Sequence, residues 1–321
     1  MKNIYLNIHK PTLINLNKAK KKLENNNVIG MPTETVYGLA GNAYSDKSVK
    51  KIFNIKKRPY FNPLIVHFKS LRDIKNDVIV NNFFLKLYKA FCPGPITFIL
   101  NKKDNSKISQ FVNGNKKSIA VRVPSHKVSR KLLKILKFPL AAPSANIFSK
   151  VSPTCANDVI EELKNKISFV LDGGKSKIGL ESTIVDLTGK PTILRHGSIT
   201  AEKIYKILKN KLLINKKSKV TKSPGQLKSH YSPGIPVFIN KNCAKKNGAF
   251  ITLGKKFKNN KNSFNLSKSN NLNEAANNLY STMRKIKKKG FKSIAVCKIP
   301  NHEIGSAINE RLKKASYKWK K

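Results

Sequence analysis

A chain of 321 residues is long enough for a large core and, by length, for about two domains of roughly 100–200 residues each. Hydrophobic residues make up 40% of it, but no apolar run approaches the ~20 residues a helix needs to span a bilayer, so no membrane-spanning helix is expected and the chain reads as soluble and globular. A formal charge of +49 should draw the chain toward polyanions such as RNA; the lysines are nevertheless spread over the whole length, which suits compositional drift at exposed positions better than one nucleic-acid stripe.

The first residues, MKNIYLNIHKPTLINL, lack the unbroken apolar region of a secretory signal and the Arg-rich look of a transit peptide, making the cytoplasm the expected location. Cys92, Cys155, Cys243 and Cys297 lie far apart without paired spacing, so neither a zinc site nor a disulfide framework is suggested.

From Val28 onward short apolar runs alternate with stretches of helical period, the pattern of an α/β domain. NNNVIGMPTE reads as a strand ending in a proline-marked loop. Ser45 then caps a helix whose Val49, Ile52 and Phe53 share one face and which Pro59 stops. Further strands are predicted at 64–68, 96–100, 118–123, 169–172, 183–187 and 192–195, and helices near 83–91, 125–136, 152–163 and 201–208. Ser152 is expected to cap the 152–163 helix, with Pro153 at its first position. These elements make a first domain over 1–208. Residues 209–236, rich in Lys, Ser, Pro and Gly, read as a linker. Beyond it, strands at 237–239, 249–253 and 293–296, an amphipathic helix over 273–288 and a helix after Gly305 predict a small α/β domain over 237–321.

Polar clusters stand where these strands end: MPTETVYGLAG at 31–41, IKKRPYFNPLIVHF at 55–68, CPGPIT at 92–97, SIAVRVP at 118–124, APSAN at 142–146, SPT at 152–154, LESTIVD at 180–186 and LRHG at 194–197. Ligands gather at strand ends in open α/β sheets, so the loops are expected to line one cleft. Taken singly each is weak. PTET suits a turn with a capping threonine, and Lys56 and Arg58 suit the dipole at a helix C-terminus. Pro59 and Asn62-Pro63, however, would hold those two cations in place, as developing charge on a triphosphate requires. His67 lies in an apolar strand, where a satisfied structural histidine is the competing reading. Ser144 and Asn146 offer a hydroxyl and an amide for phosphate or ribose oxygen, although a helix cap uses the same residue types. No His/Asp arrangement makes Ser182 a nucleophile, so it is read as a binder. Neither G-x-x-x-x-G-K-[ST] nor G-x-G-x-x-G occurs; nucleotide binding would use another construction.

Together and in this order, the clusters resemble the YrdC-type domain of threonylcarbamoyl-AMP synthases over roughly residues 10–208. SHYSPGIP is similar to the interdomain segment of the long form, and EIGSAINERLKKAS to the closing helix of its accessory domain. The resemblance implies a YrdC-like twisted mixed sheet flanked by helices, plus a small Rossmann-like α/β domain. It also implies a nucleotidyltransferase taking L-threonine, bicarbonate and ATP, with Mg2+ and no tightly bound organic cofactor, to L-threonylcarbamoyladenylate and pyrophosphate. A separate transferase would then modify adenosine 37 of tRNAs reading ANN codons.

Carried over position by position, the resemblance puts L-threonine on Thr33, Thr35, His67, Arg122 and Ser182, and ATP on Lys56, Arg58, Asn62, Ser118, Ser144, Asn146, Ser152, Arg195 and Tyr231, with Lys56 and Arg58 also catalytic and no metal ligands. A guanidinium at Arg122 can clamp a carboxylate through two parallel hydrogen bonds. Tyr231 implies that the linker is a lid over the adenylate, with His230 beside it. One departure is Lys150, which follows Ser149 where the family commonly has glycine; a glycine needing positive φ would be costly to replace. The rival reading from another class is a non-catalytic protein that binds double-stranded RNA or tRNA.

Overall fold

The computed structural model describes residues 4–209, 213–214, 229–257 and 260–317. Caps place the helices close to where the sequence predicts them. The Ser45 hydroxyl accepts from the Ser48 amide and starts Asp46–Lys56, while the Asn81 side chain accepts from the Phe84 amide and starts Asn82–Phe91. Ala201–Leu208 is found where expected, capped by Thr200. The helix predicted over 152–163 begins only at Ala156. Ser152 does not cap it, because its hydroxyl is committed to Glu181, and the Thr154 amide and hydroxyl bond the Asp158 carboxylate instead. A lysine-rich helix, Leu13–Glu24, escaped the sequence reading; it buries only Leu16, Ala19 and Leu23, a thin apolar stripe.

Among the described residues, eleven strands form one mixed sheet: β1 (Ile8–His9), β2 (Ile29–Met31), β3 (Gly38–Asn42), β4 (Ile65–His67), β5 (Ile96–Asn101), β6 (Ser118–Arg122), β7 (Leu140–Ala141), β8 (Val170–Leu171), β9 (Thr183–Asp186), β10 (Thr192–Arg195) and β11 (Leu213–Ile214), in the order β1-β8-β2-β3-β7-β4-β6-β5-β9-β10-β11. β3, GLAGN, has little strand propensity of its own. Its glycines fit because β-carbons are excluded: one on Gly41 would stand 2.5 Å from the Ser48 hydroxyl. β11 falls inside the segment read as a linker and pairs in parallel with β10; residues 210–212 and 215–228 of that segment lie outside the described residues.

β4 and β6 run parallel, with Ile65 beside Ala120 and His67 beside Arg122. Because side chains alternate along a strand, these four share one face, whereas Val66 and Val121 enter the main core on the other. Ile65, Ala120, Ile99 and Ile184 form a small apolar floor on the first face. The site is built over this floor.

The second sheet comprises β12 (Val237–Phe238), β13 (Gly248–Thr252), β14 (Ser263–Asn265) and β15 (Ser293–Val296), all parallel in the order β12-β15-β13-β14. Helices Leu272–Lys288 and Gly305–Ala315 pack with it, a Rossmann-like arrangement. Its hydrophobic core also takes in Val36, Val151, Leu180 and Tyr231, which belong to the loops of the first sheet or to the chain leading out of the linker. The smaller unit therefore rests directly on the loops that line the site.

Candidate active site

The strand-end loops surround a cavity that opens to solvent, with about 530 Å3 of atom-free space counting its mouth. Thr33, Thr35, Arg58, His67, Arg122, Ser144, Arg195 and Tyr231 line it, together with Glu181, His230 and small or apolar residues such as Gly38, Ile65 and Ala142.

At one end, Arg122 Nη2 donates to Glu34 Oε1 at 2.6 Å and to Thr35 Oγ1 at 2.9 Å. The Thr33 hydroxyl spends its proton on the Val36 carbonyl, so the 2.8 Å contact between the two threonines has Thr35 as donor. This chain fixes the guanidinium with its Nε buried and unpartnered. Beside it His67 is buried with Nδ1 unpartnered; burial first and Arg122 second push its pKa down to about 3, so the ring is neutral at physiological pH.

At the other end the helix Asp46–Lys56 stops on Lys57, whose left-handed backbone (φ 51°) turns the chain so that Arg58 points back into the cavity. Arg58 Nε donates to the Asn62 carbonyl at 2.9 Å, and Nη2 to Asn62 Oδ1 at 2.6 Å and to the Pro63 carbonyl at 2.8 Å. These acceptors hold the guanidinium still without cancelling its charge. Burial lowers its pKa to about 9, with Tyr231 opposing and Arg195 adding to the shift, so the site favours an anion beside it. Arg195 Nε and Nη2 donate to the Ser182 carbonyl and hydroxyl at 3.0 and 3.1 Å.

Several sequence-predicted residues sit behind the wall instead of on it. Lys56 was expected to face phosphate; its buried Nζ donates instead to the Ser144 and Asn146 carbonyls, each at 2.5 Å, and so secures the APSAN loop. Asn62 positions Arg58. Asn146 accepts from the Ser144 hydroxyl and donates to the Ile147 and Lys150 carbonyls. The Ser182 hydroxyl lies 2.7 Å from that of Thr97. The Ser152 hydroxyl meets Glu181 Oε1 at 2.5 Å. Ser118 shares the face of Arg122 but lies four residues away on β6, roughly 13 Å, outside the cavity wall.

The roof is His230 and Tyr231. Tyr231 has a left-handed backbone (φ 61°), unusual for an aromatic residue, and is held by the Ser232 amide on the Ser149 carbonyl and the Val151 amide on the Ser232 carbonyl. The loop's left-handed residue is Ser149 (φ 66°), not Lys150, whose backbone bridges to Ser232; lysine is accommodated there without strain. His230 Nδ1 and the Tyr231 hydroxyl are buried and unpartnered. Two carboxylates missed in the sequence reading belong to the site, Glu34 and Glu181. With 16 acidic residues against 65 Lys and Arg, an acid embedded in an apolar motif was the available signal.

A family model described as telomere recombination, for the Sua5/YciO/YrdC group, matches residues 21–197, and one described as threonylcarbamoyl-AMP synthase, C-terminal domain, matches residues 199–316. The threonylcarbamoyl-AMP synthase of Pyrococcus abyssi is 34% identical over 310 residues, covering 90% of each chain. The chain belongs to the threonylcarbamoyl-AMP synthase family. The Bacillus subtilis member is 38% identical over 228 residues, 69% of this chain and 65% of that one. The crystal structure of P. abyssi Sua5 complexed with L-threonine superposes with a TM-score of 0.86 at 31% identity, covering 94% of both chains. The mixed sheet and the smaller domain thus have the architecture of threonylcarbamoyl-AMP synthases.

Proposed function

We propose that this cavity activates L-threonine, with bicarbonate and ATP, to L-threonylcarbamoyladenylate and pyrophosphate. The observation that carries the reading is the convergence of unpartnered buried polar atoms from separate segments, namely His67 Nδ1, Arg122 Nε, His230 Nδ1 and the Tyr231 hydroxyl, on a cavity that also holds Arg58 and Arg195. Buried polar atoms of this kind call for a polar ligand. Arg122 suits the threonine carboxylate, and neutral His67 suits a hydrogen bond to the amino acid's polar groups. The relative whose solved structure is complexed with L-threonine supports threonine as the substrate.

Chemistry follows by positioning. The threonine amine and bicarbonate condense to a carbamate with loss of water. A carbamate oxygen then attacks the α-phosphorus, the bond to the bridging oxygen of the β-phosphate breaks, and pyrophosphate leaves. Arg58 and Arg195 are already fixed by uncharged acceptors and need little reorganisation as charge moves onto the leaving group. The nucleotide would lie along Arg58, Ser144 and Arg195, with Tyr231 and His230 excluding water from the adenylate. The wall carries three arginines and one carboxylate, so its donors fit phosphate oxygens, and Mg2+ is assigned as a companion of ATP. Downstream, a separate transferase would pass the threonylcarbamoyl group to adenosine 37 of tRNAs reading ANN codons.

The test is pyrophosphate release from ATP by the full-length protein. Release should require threonine and bicarbonate together. A protein that releases none under these conditions, yet binds double-stranded RNA with a steep salt dependence, would establish the rival reading.

A further inference from the structure

Arg311 and Tyr280 come from the two helices of the C-terminal domain and reach a residue of the catalytic loops. Arg311 is 1% exposed; its Nε donates to Glu181 Oε2 at 3.0 Å, and its Nη1 to the carbonyl of His196, the neighbour of Arg195, at 2.6 Å. The Tyr280 hydroxyl lies 3.2 and 3.0 Å from the two Glu181 oxygens. The Arg311 guanidinium also sits 5.3 Å from the centroid of the Tyr231 ring. Glu181, Arg195 and Tyr231 line the cavity, whereas Arg311 and Tyr280 do not.

An ion pair buried this completely repays its desolvation poorly as a source of stability, and losing one partner leaves the other charge uncompensated. For Glu181 the remaining buried cation is Arg195, which already acts on its charge. We propose that Arg311 is a positioning residue for the nucleotide half of the site: by taking the Glu181 carboxylate toward the C-terminal domain, it keeps that charge from neutralising Arg195 and holds the Tyr231 roof. Arg122, Thr35 and His67 of the threonine end make no hydrogen bond to these groups, and the network meets that end at Ser182, through Arg195. The inference rests on the proposed activity and sharpens it, because the second domain then sets nucleotide affinity and does more than cover the cavity.

The test measures binding of a non-hydrolysable ATP analogue and, separately, of L-threonine to the full-length protein by calorimetry. Arg311→Met should weaken the analogue at least tenfold and leave threonine within threefold. Glu181→Gln added to Arg311→Met should recover most of the loss, since the carboxylate beside Arg195 is neutralised, while Glu310, which Arg311 also meets at 3.3 Å, keeps Lys314 at 2.6 Å. Tyr280→Phe, which keeps the ring and perturbs packing least, should weaken the analogue threefold or more in the same selective way, and it carries the test if Arg311→Met does not fold. Equal weakening of both ligands, or no recovery in the double variant, would reduce Arg311 to a purely structural role. A wild-type protein that binds neither ligand overturns the underlying activity reading, a result distinct from selective binding that the variants leave unmoved.

Discussion

Replacing Arg122 with lysine tests the threonine end most directly. Arg122 is buried, anchored through Nη2 on Glu34 and Thr35, lines the cavity and has an unpartnered Nε. A guanidinium that turns the Nη2 proton now on Thr35 over to the ligand can give a carboxylate two charge-assisted hydrogen bonds, through Nε and Nη2, of about 1.5–3 kcal/mol each, whereas a lysine ammonium still engaged with Glu34 gives at most one. The difference, about 1.5–3 kcal/mol, corresponds to a loss of roughly 10- to 150-fold in L-threonine affinity. Calorimetric titration of wild type and Arg122→Lys with L-threonine and with L-threoninamide forms a complete cycle. Wild type should prefer the carboxylate strongly, and the variant should lose most of that preference. If Arg122→Lys binds L-threonine within threefold of wild type, or keeps its full discrimination against the amide, then Arg122 does not read the carboxylate.

Two further outcomes follow from buried groups. Lys56→Met should lower unfolding stability by about 2 kcal/mol or more and depress pyrophosphate release, because the Ser144 and Asn146 carbonyls lose their donor; a cation directed at phosphate would leave the melting temperature unchanged. His67 and His230 both have pKa values lowered to about 3, chiefly by burial, against 6.5 unfolded. The unfolded chain therefore binds more protons between pH 6.5 and 3, and stability falls as pH drops through that window, by about 2 kcal/mol per histidine at pH 5. Urea unfolding at pH 7.5 and 5.0 measures this, and identical midpoints would refute it.

The cleft was legible in the sequence because its residues occupy short motifs at strand ends, where β-strand alternation fixes direction: His67 and Arg122 had to share a face once their strands paired in parallel. What sequence could not provide was which hydrogen-bonding groups spend themselves on other protein atoms. Lys56, Asn62 and Ser152 have the chemistry to meet a nucleotide, yet carbonyls, a guanidinium and a carboxylate claim them first. The 152–163 helix was drawn too long for the same reason: Ser152 is a good cap by type and a Glu181 donor in fact. The roles of Arg311, Tyr280 and Asn277 stayed hidden because they act on residues about a hundred or more positions away, and local periodicity carries no record of such pairings.

Gly179 shows what that long-range packing means for heredity. Its backbone is left-handed (φ 77°), and a β-carbon there would stand 2.7 Å from Asn277 Cα, while Asn277 Nδ2 bonds the Ser176 and Lys177 carbonyls. The same loop accepts no slack on its other side, since the Ile178 and Gly179 amides bond the Glu34 and Thr35 carbonyls. One ribbon of four residues is thus sandwiched between the accessory helix and the PTET motif. A gene encoding only the first 208 residues would bare Val36, Val151 and Leu180 to water and strip the Glu181 carboxylate of Arg311 and Tyr280 at once. A lineage that keeps only the first domain is therefore expected to carry compensating substitutions at these positions.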